Sequence, residues 1–402
     1  MARRDGPEAP PEPDATAARY SAELRKRIDA AIAMAGGRMD FAEYMALALY
    51  SPGLGYYSAG QTRFGAGGDF TTAPLMSPLF SWTLARDVQR ILDAADGDTV
   101  LEFGAGTGRM AADILEALAA ADALPARYLI VEVSADLRAE QARTLDALDP
   151  DLRARVEWLD RLPAIPIRGV VLANEVMDAM PVRRFRRTES GVEALAVGHD
   201  ETGALSWQPQ VADDELRGAV AAIEAAIGDR LPAGYCSEWC PSLAPWIAEL
   251  GALIDTGVAL LIDYGYPRAE YYHPQRATGT LLCHYRHRAH DDPFFWPGLQ
   301  DITASVDFTA AARAGMDAGL ELVGFATQGN FLAGAGLPEV LQTQAGDDPD
   351  RAAELAQSAK PLIFPDEMGE RFKVLGLGRG IEATLPGFAF ADHRARLSVD
   401  VD

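Results

Sequence analysis

Short apolar runs alternate with amphipathic stretches along most of the chain. Each run holds four to nine residues, the length of a buried strand in a parallel sheet. The stretches between them repeat apolar residues every three or four positions, as helices packed on a sheet do. The pattern predicts an α/β fold with a Rossmann-like, seven-stranded sheet. The predicted strands are 99–103, 128–133, 156–159, 169–173, 257–265, 320–328 and 372–379.

The alternation breaks at two places. An insertion is predicted after the fourth strand, at about 182–251, and a polar, aromatic substrate-side loop at about 266–308. Ser77 or Ser81 is expected to open the helix before the first strand, and the glycine-rich stretch 65–74 to fold over a ligand as a lid. The predicted organisation is a disordered tail at 1–16, N-terminal helices and a lid loop at 17–80, the core at 81–385 and a tail at 386–402.

Charge and composition restrict the partners. The 402 residues include 36 Lys+Arg and 59 Asp+Glu, a net charge of −23, which argues against nucleic acid because phosphates require a basic surface. A protein substrate with a basic segment fits better. No apolar stretch approaches the roughly 18 residues that cross a bilayer. The acid-rich start differs from a mitochondrial transit segment, and three cysteines suit a reducing compartment, so a cytoplasmic location is predicted.

The first predicted strand ends in a tight G-x-G-x-G turn. Gly104, Gly106 and Gly108 precede a helix rich in Ala, Leu and Ile, whereas a dinucleotide loop normally reads G-x-G-x-x-G and holds a pyrophosphate. Glu102 lies two residues before the first glycine, which suits a ligand with an ammonium group and no phosphate. S-adenosylmethionine is such a ligand, and Ala105 belongs to the same predicted binding turn. A generic glycine-rich turn is the alternative.

Glu132 closes the second predicted strand. In a doubly wound sheet, an acid at this place lies beside the ribose of a bound nucleoside, where its two oxygens accept both hydroxyls. NAD-binding domains share the arrangement, so Glu132 indicates a nucleoside and not a reaction. Combined with the tight glycine turn, it favours a class I methyltransferase over a dehydrogenase.

Asn174, Glu175 and Asp178 follow the fourth strand, at the edge where open α/β sheets bind ligands. Methyl transfer requires alignment of nucleophile and methyl group and exclusion of water. A guanidinium nucleophile also needs carboxylates to orient it. Glu175 and Asp178 are therefore predicted to hold a guanidinium, and Asn174 to serve both catalysis and cofactor binding. The alternative is that one of the acids caps a following helix.

The stretch CHYRHRAHDD, at 283–292, superficially resembles a metal cluster. His284, His287 and His290 recur every three residues, but the spacing matches no zinc signature. No metal site is predicted. The histidines are expected to face substrate or a second subunit.

Several longer segments resemble one family. They are YSPGLGYYS (50–58), GDFTTAP (68–74), LEFGAGTGRMAADIL (101–115), ANEVMDAMPV (173–182), the tract 262–308 and FKVLGLGR (372–379). They are similar to the class I S-adenosylmethionine-dependent methyltransferases that include the mitochondrial complex I assembly factor methylating an arginine, and its bacterial relatives. The resemblance covers about residues 35–380.

The resemblance implies S-adenosylmethionine as cofactor and methylation of an arginine in a partner protein, linked to respiratory complex assembly. It places the family's site residues on Gly104, Gly106, Gly108, Glu132 and the pair at 174–175. Two other functions stay open: a small-molecule O- or N-methyltransferase, and a cofactor-binding assembly chaperone with little turnover. A homodimer is one open oligomeric state.

Overall fold

The structure, a computed structural model, describes residues 11–58, 72–382 and 384–399. Residues 1–10 of the predicted tail and residues 65–71 of the lid predicted at 65–74 lie outside this description. Helix α1 (Ala15–Met34) begins inside the range predicted as a disordered tail. It begins there because the Asp14 side chain accepts hydrogen bonds from the N–H groups of Thr16 and Ala17, both at 2.9 Å.

Strand β1 (Arg38–Met39) and helix α2 (Phe41–Tyr50) follow. The next two helices, α3 (Ala73–Met76) and α4 (Pro78–Ala95), precede the core sheet. The Ser77 hydroxyl accepts from the Leu79 N–H at 3.3 Å, so Ser77 opens α4. Ser81 lies inside that helix.

The first half of the core alternates strictly between strands and helices. The elements are β2 (Thr99–Phe103), α5 (Arg109–Ala120), β3 (Arg127–Val131), α6 (Ala135–Leu145), α7 (Pro150–Arg153), β4 (Val156–Leu159) and β5 (Ile167–Asn174).

A second, antiparallel sheet lies in the sequence between β5 and the next core strand. Its elements are β6 (Arg183–Arg187), β7 (Val192–His199), β8 (Leu205–Val211), α8 (Asp214–Ile227) and β9 (Cys236–Trp239). The strand order is β1-β7-β6-β9, with β8 beside β7. The N-terminal segment therefore joins this sheet. The domain boundaries given above stay a prediction.

The chain then returns to the core. The elements are α9 (Leu243–Leu253), β10 (Ile254–Tyr266), α10 (Arg268–Tyr271), β11 (Leu282–Tyr285), β12 (Arg288–His290), β13 (Asp301–Thr303) and β14 (Val306–Asp307). The stretch predicted as a loop at 266–308 thus contains a small sheet of order β12-β11-β13. Its strands are only three or four residues long, too short to give a clear alternation of apolar and polar residues.

The last part of the chain completes the core. The elements are α11 (Phe308–Asp317), β15 (Glu321–Thr327), α12 (Gln328–Ala335), α13 (Leu337–Ala345), α14 (Pro349–Ile363), α15 (Met368–Arg371), β16 (Phe372–Arg379), α16 (Pro386–Ala389) and a 3-10 turn (Arg394–Leu397).

The core sheet has the strand order β15-β16-β10-β5-β2-β3-β4, and the short β14 extends it beside β10. All seven predicted strands are present, with β14 as an eighth. Neighbouring strands are parallel except where β16 pairs with β10 and β15. After β4 the chain crosses to β5 on the other side of β2. This reversal of direction creates a crevice at the carboxyl ends of β2 and β5, where such sheets bind ligands.

Helices cover both faces of the core sheet. Val100, Ile130 and Leu172 point to one face, whereas Leu101 and Leu129 point to the other, as strands buried on both sides require. Among the described helices, none combines the length and the apolar character needed to cross a bilayer.

Candidate functional site

A cavity of about 320 Å³ lies at the carboxyl ends of β2, β3 and β5. We call it the glycine-turn cavity. Most of the predicted site residues line it together, although they come from three separate strand ends: Glu102, Gly104, Ala105, Gly106, Glu132, Asn174 and Glu175. Asp178 lines a neighbouring cavity.

The three glycines of the turn all have positive φ, at 61°, 53° and 80°, a conformation that glycine adopts without steric cost. A Cβ on Gly104 would lie 3.1 Å from Cγ2 of Val176. Gly108 is different from the other two. It precedes α5 and is absent from the described lining of the cavity, and a Cβ there would lie 3.1 Å from the Cα of Gln141. This position indicates that Gly108 allows α6 to pack closely against the turn and that it does not contact a ligand.

Glu132 is buried at the end of β3 and held from two sides. Oε1 accepts from the Ser134 N–H at 2.9 Å, and Oε2 accepts from Nε2 of Gln141 at 3.0 Å. Burial raises the pKa of Glu132, an effect that the Ser134 N–H opposes. Each carboxylate oxygen has a second lone pair for a ligand hydroxyl.

Gln141 connects this acid to the glycine turn. Its Nε2 also donates to the Gly106 carbonyl at 3.1 Å, and its Oε1 accepts from Nε1 of Trp158 at 2.8 Å. No local pattern indicates Gln141 as a site residue, because it lies in the middle of an ordinary amphipathic helix.

Glu102 lies on the floor of the cavity and is only 1% exposed. Burial raises the pKa of Glu102 to about 7, although the Tyr128 hydroxyl, which donates to Oε2 at 2.7 Å, opposes the shift. The carboxyl group is therefore already hydrogen-bonded beneath the turn.

Asn174 presents an acceptor without a partner. Its Nδ2 donates to Oε1 of Glu175 at 3.0 Å, which fixes the amide. Its Oδ1 is buried and has no hydrogen-bond partner in the described part of the chain. Because an unsatisfied buried acceptor is costly, Oδ1 beside the cavity fits a ligand with an N–H or ammonium group, such as the amino-acid end of S-adenosylmethionine.

Glu175 has an unusual backbone and an unusual environment. Its φ is 56°, which costs a residue with a side chain about 1–2 kcal/mol. Its N–H donates to the Ile262 carbonyl at 2.9 Å. Burial, with the nearby Asp178 adding to it, raises the pKa of Glu175 to about 8. The side chain is half-buried and lines both the glycine-turn cavity and its neighbour.

No helix follows β5 directly, so the alternative that Glu175 or Asp178 caps one is wrong. The chain makes a turn instead, because Asp263 on β10 accepts hydrogen bonds from it. Oδ2 of Asp263 accepts from the N–H groups of Met177 at 2.9 Å and Asp178 at 3.1 Å. Burial raises the pKa of Asp178 to about 6, and the Tyr264 hydroxyl opposes this shift.

The neighbouring space, which we call the second cavity, has a volume of about 590 Å³ and is partly open to solvent. Three acids, Glu175, Asp178 and Asp301, line it, and Arg276 and Arg371 lie elsewhere on its wall. Buried Asp263 lies behind them, and burial together with Asp178 and Glu175 raises its pKa well above the ordinary value.

Two tyrosines outside the predicted site residues also line the glycine-turn cavity, Tyr50 and Tyr57. Their rings stack with centroids 5.6 Å apart. The Tyr50 hydroxyl donates to the Ala179 carbonyl at 2.8 Å, and the Tyr57 hydroxyl donates to Oδ1 of Asp301 at 3.0 Å. Both lie within the motif YSPGLGYYS (50–58), so the resemblance includes this segment but does not single out these two residues.

The three histidines are spread over the hairpin of β11 and β12. His284 lines the second cavity, and burial together with His290 lowers its pKa. His287 lies in the turn and His290 on β12. Within 11–58, 72–382 and 384–399, no group of three or more His, Cys, Asp or Glu side chains could hold a metal ion.

The chain is similar to proteins of known family. A family model described as S-adenosyl-L-methionine-dependent methyltransferase matches residues 83–326. The mitochondrial protein arginine methyltransferase NDUFAF7 of Danio rerio is 32% identical over 374 residues, covering 85% of this chain and 83% of that protein. The Mus musculus protein of the same name is 30% identical, covering 85% and 81%.

A crystal structure from Burkholderia thailandensis is also similar. That protein, bound to S-adenosyl-homocysteine, is 44% identical and has a TM-score of 0.90, with 96% of this chain and 100% of that chain covered.

The predicted cytoplasmic location is contradicted by these similarities and is wrong, because the curated relatives are named as mitochondrial proteins. The prediction rested on the acidic composition of the first residues. Composition alone did not identify the compartment.

Proposed function

Because the chain belongs to the family of S-adenosylmethionine-dependent methyltransferases, we propose that it methylates a guanidinium nitrogen of an arginine in a partner protein. The predicted family, fold class, enzyme class and cofactor are confirmed by the family match and the similar structure. Relatives named protein arginine methyltransferases support arginine as the acceptor.

The glycine-turn cavity fits this cofactor, which supplies an activated methyl group on a sulfonium when bound. Glu132, fixed by Ser134 and Gln141, would accept from the ribose hydroxyls. The orphan Oδ1 of Asn174 would accept from the ammonium group. Gly104 and Gly106 let the backbone come close.

The observation that carries the proposal is the position of Glu175 between the two cavities. Its carboxyl group and that of Asp178 both line the second cavity, and burial raises the pKa of each. A guanidinium presents five donors and a permanent charge, so it satisfies these acids as a hydroxyl could not. The basic segment proposed for the partner then includes the acceptor arginine itself.

The chain's own residues would perform two tasks. The fixed backbone of Glu175 and the turn held by Asp263 align the guanidinium with the glycine-turn cavity. Methylation adds a substituent to a protonated guanidinium, so one N–H proton must leave. The charge of the bound guanidinium favours the ionised forms of Glu175 and Asp178, whose pKa values are otherwise raised to about 8 and about 6, so these carboxylates are suited to accept the proton.

The variant Glu175→Gln tests this proposal. An amide presents one acceptor oxygen and no charge, so we expect affinity for S-adenosylmethionine to stay within about twofold while methyl transfer falls at least about a hundredfold. Calorimetry measures the first quantity, and transfer of labelled methyl to proteins of an extract lacking this chain measures the second.

Glu201→Gln is the matched control, because it makes the same change at an exposed turn residue and should alter neither quantity. Full transfer by Glu175→Gln would contradict the role of the carboxylate and remove the structural argument for arginine.

A further inference from the structure

The wall of the second cavity carries opposite charges in different places. Glu175 marks the end next to the cofactor's space, because it lines the glycine-turn cavity as well, and the buried Asp178 follows it in the same turn. Arg276 and Arg371 line the second cavity but are absent from the described lining of the glycine-turn cavity. Arg276 is half-buried and Arg371 is exposed. The two cations therefore lie on the side away from the cofactor.

The charges of these two arginines are not neutralised by neighbouring acids. Across the described ranges, neither Arg276 nor Arg371 forms an ion pair, although the chain has 59 Asp+Glu against 36 Lys+Arg. Nε of Arg276 donates to the carbonyl of Glu270 at 3.3 Å, which is a neutral acceptor. The carboxylate of Glu270 is bonded instead to Nη2 of Arg396, at 2.7 Å. Both arginines can thus still bind an anion.

Tyr266, another residue of the cavity wall, supports Arg276. Cζ of Arg276 lies over the Tyr266 ring, 4.0 Å from its centroid, and no described contact uses the terminal nitrogens of the guanidinium. A guanidinium stacked on a ring is fixed in its plane and keeps its edge N–H groups for a planar anion. The geometry suits a carboxylate, which binds two such N–H groups side by side.

A third cation lies behind this part of the wall. Nζ of Lys373 is 5.9 Å from the centroid of the Tyr266 ring and donates to the Arg371 carbonyl at 3.1 Å. Burial lowers the pKa of Lys373 to about 8, so the amine still carries most of its charge at pH 7. Its charge adds to the attraction that Arg276 and Arg371 exert on an anion.

We propose that the second cavity selects an acceptor arginine that has an acidic side chain close to it in the partner protein, and that Arg276 and Arg371 bind this carboxylate. The inference rests on the proposed function, since it assumes that the acceptor guanidinium enters the second cavity toward Glu175 and Asp178. The volume of about 590 Å³ lies in the range of cavities that hold whole small ligands, so it has room for more than one side chain. The requirement is local, and the partner's segment can still be basic overall.

The test measures binding of short peptides to the full chain in the presence of S-adenosyl-homocysteine, which allows no turnover. Each peptide has blocked ends, a single arginine among alanine and glycine residues, and one glutamate placed up to three positions before or after the arginine. A matched series carries glutamine in place of glutamate. Calorimetry should show at least one placement at which the glutamate peptide binds about three- to tenfold more tightly than its glutamine match. High salt should reduce this ratio, because Arg371 is exposed to solvent.

Variants of the two arginines identify the source of the preference. Arg276→Gln and Arg371→Gln should each lower the ratio, and the double variant should bring it to about one. Arg371→Glu reverses the charge at the exposed position, so a peptide with lysine at the preferred placement should then bind more tightly than the glutamate peptide. Arg313→Gln is the matched control, because it removes an exposed arginine of α11 that is absent from the described lining of the cavity. It should leave the ratio unchanged.

The possible failures have distinct meanings. If glutamate and glutamine peptides bind the wild type equally at every placement, or if Arg313→Gln lowers the ratio as much as Arg371→Gln does, the carboxylate site is wrong while the proposed function stands. If no arginine peptide binds, or if Glu175→Gln binds these peptides as the wild type does, the acceptor site itself is wrong and this inference fails with it.

Discussion

At the scale of single residues, Glu175 combines a strained backbone with a poorly solvated carboxyl group. Neither feature stabilises the fold, since the left-handed conformation and the burial of an acid both cost free energy. Costs of this kind concentrate where function requires them. The strand end marked the position of Glu175 in the sequence, but its backbone conformation depends on the Ile262 carbonyl, 87 residues later along the chain.

The raised pKa of Glu175 predicts how stability depends on pH. The folded carboxyl group keeps its proton up to about pH 8, whereas the unfolded chain releases it near 4.5. Between these values the folded state binds more protons, so stability falls as the pH rises. The melting temperature of the wild type should therefore decline relative to that of Glu175→Gln from about pH 5 to pH 8. If the difference in melting temperature between the two proteins does not vary with pH, the raised pKa of Glu175 is contradicted.

Glu132 gives a second prediction at this scale. Glu132→Ala should weaken binding of S-adenosylmethionine at least tenfold, because hydrogen bonds to a charged group contribute about 1.5–3 kcal/mol each. Calorimetry on a variant with a cooperative thermal transition measures the effect. Glu157→Ala, which removes an exposed acid of β4, is the control. Unchanged affinity in Glu132→Ala would refute the ribose contact.

At the scale of elements, the glycine turn after β2 offers a test with an internal control. Gly104→Ala forces a side chain into the left-handed region and toward Val176, which should weaken cofactor binding about tenfold or more. Gly203→Ala imposes the same backbone strain in the turn between β7 and β8, where nothing lies within 4 Å of the added Cβ. It should lower the melting temperature without changing cofactor affinity. If both variants lose cofactor affinity equally, the loss comes from general destabilisation of the fold and not from the glycine turn.

The elements also show which features a sequence can reveal. The turn after β2 and the acid after β3 depend on neighbouring residues, so strand ends and glycine spacing were sufficient to predict them. The turn after β5 depends on Asp263, which is distant in sequence, so local residues leave a helix cap open as an alternative. Asp301 and Tyr57 meet across 244 residues, and no local pattern indicates such a contact.

At the scale of the whole molecule, the net charge of −23 gave only a general expectation of a basic partner. The structure places a few of those acids, Glu175, Asp178 and Asp301, in the second cavity, next to the glycine-turn cavity. This local arrangement, rather than the total charge, supports an arginine acceptor.

The most direct measurement of the central claim is mass spectrometry of proteins that co-purify with this chain. Cells with the wild-type chain, without it, and with Glu175→Gln would be compared for methylarginine at each identified site. We predict at least one site whose methylation requires the wild-type chain and is lost with Glu175→Gln, although that variant still binds S-adenosylmethionine. Identical arginine methylation in all three would contradict the account.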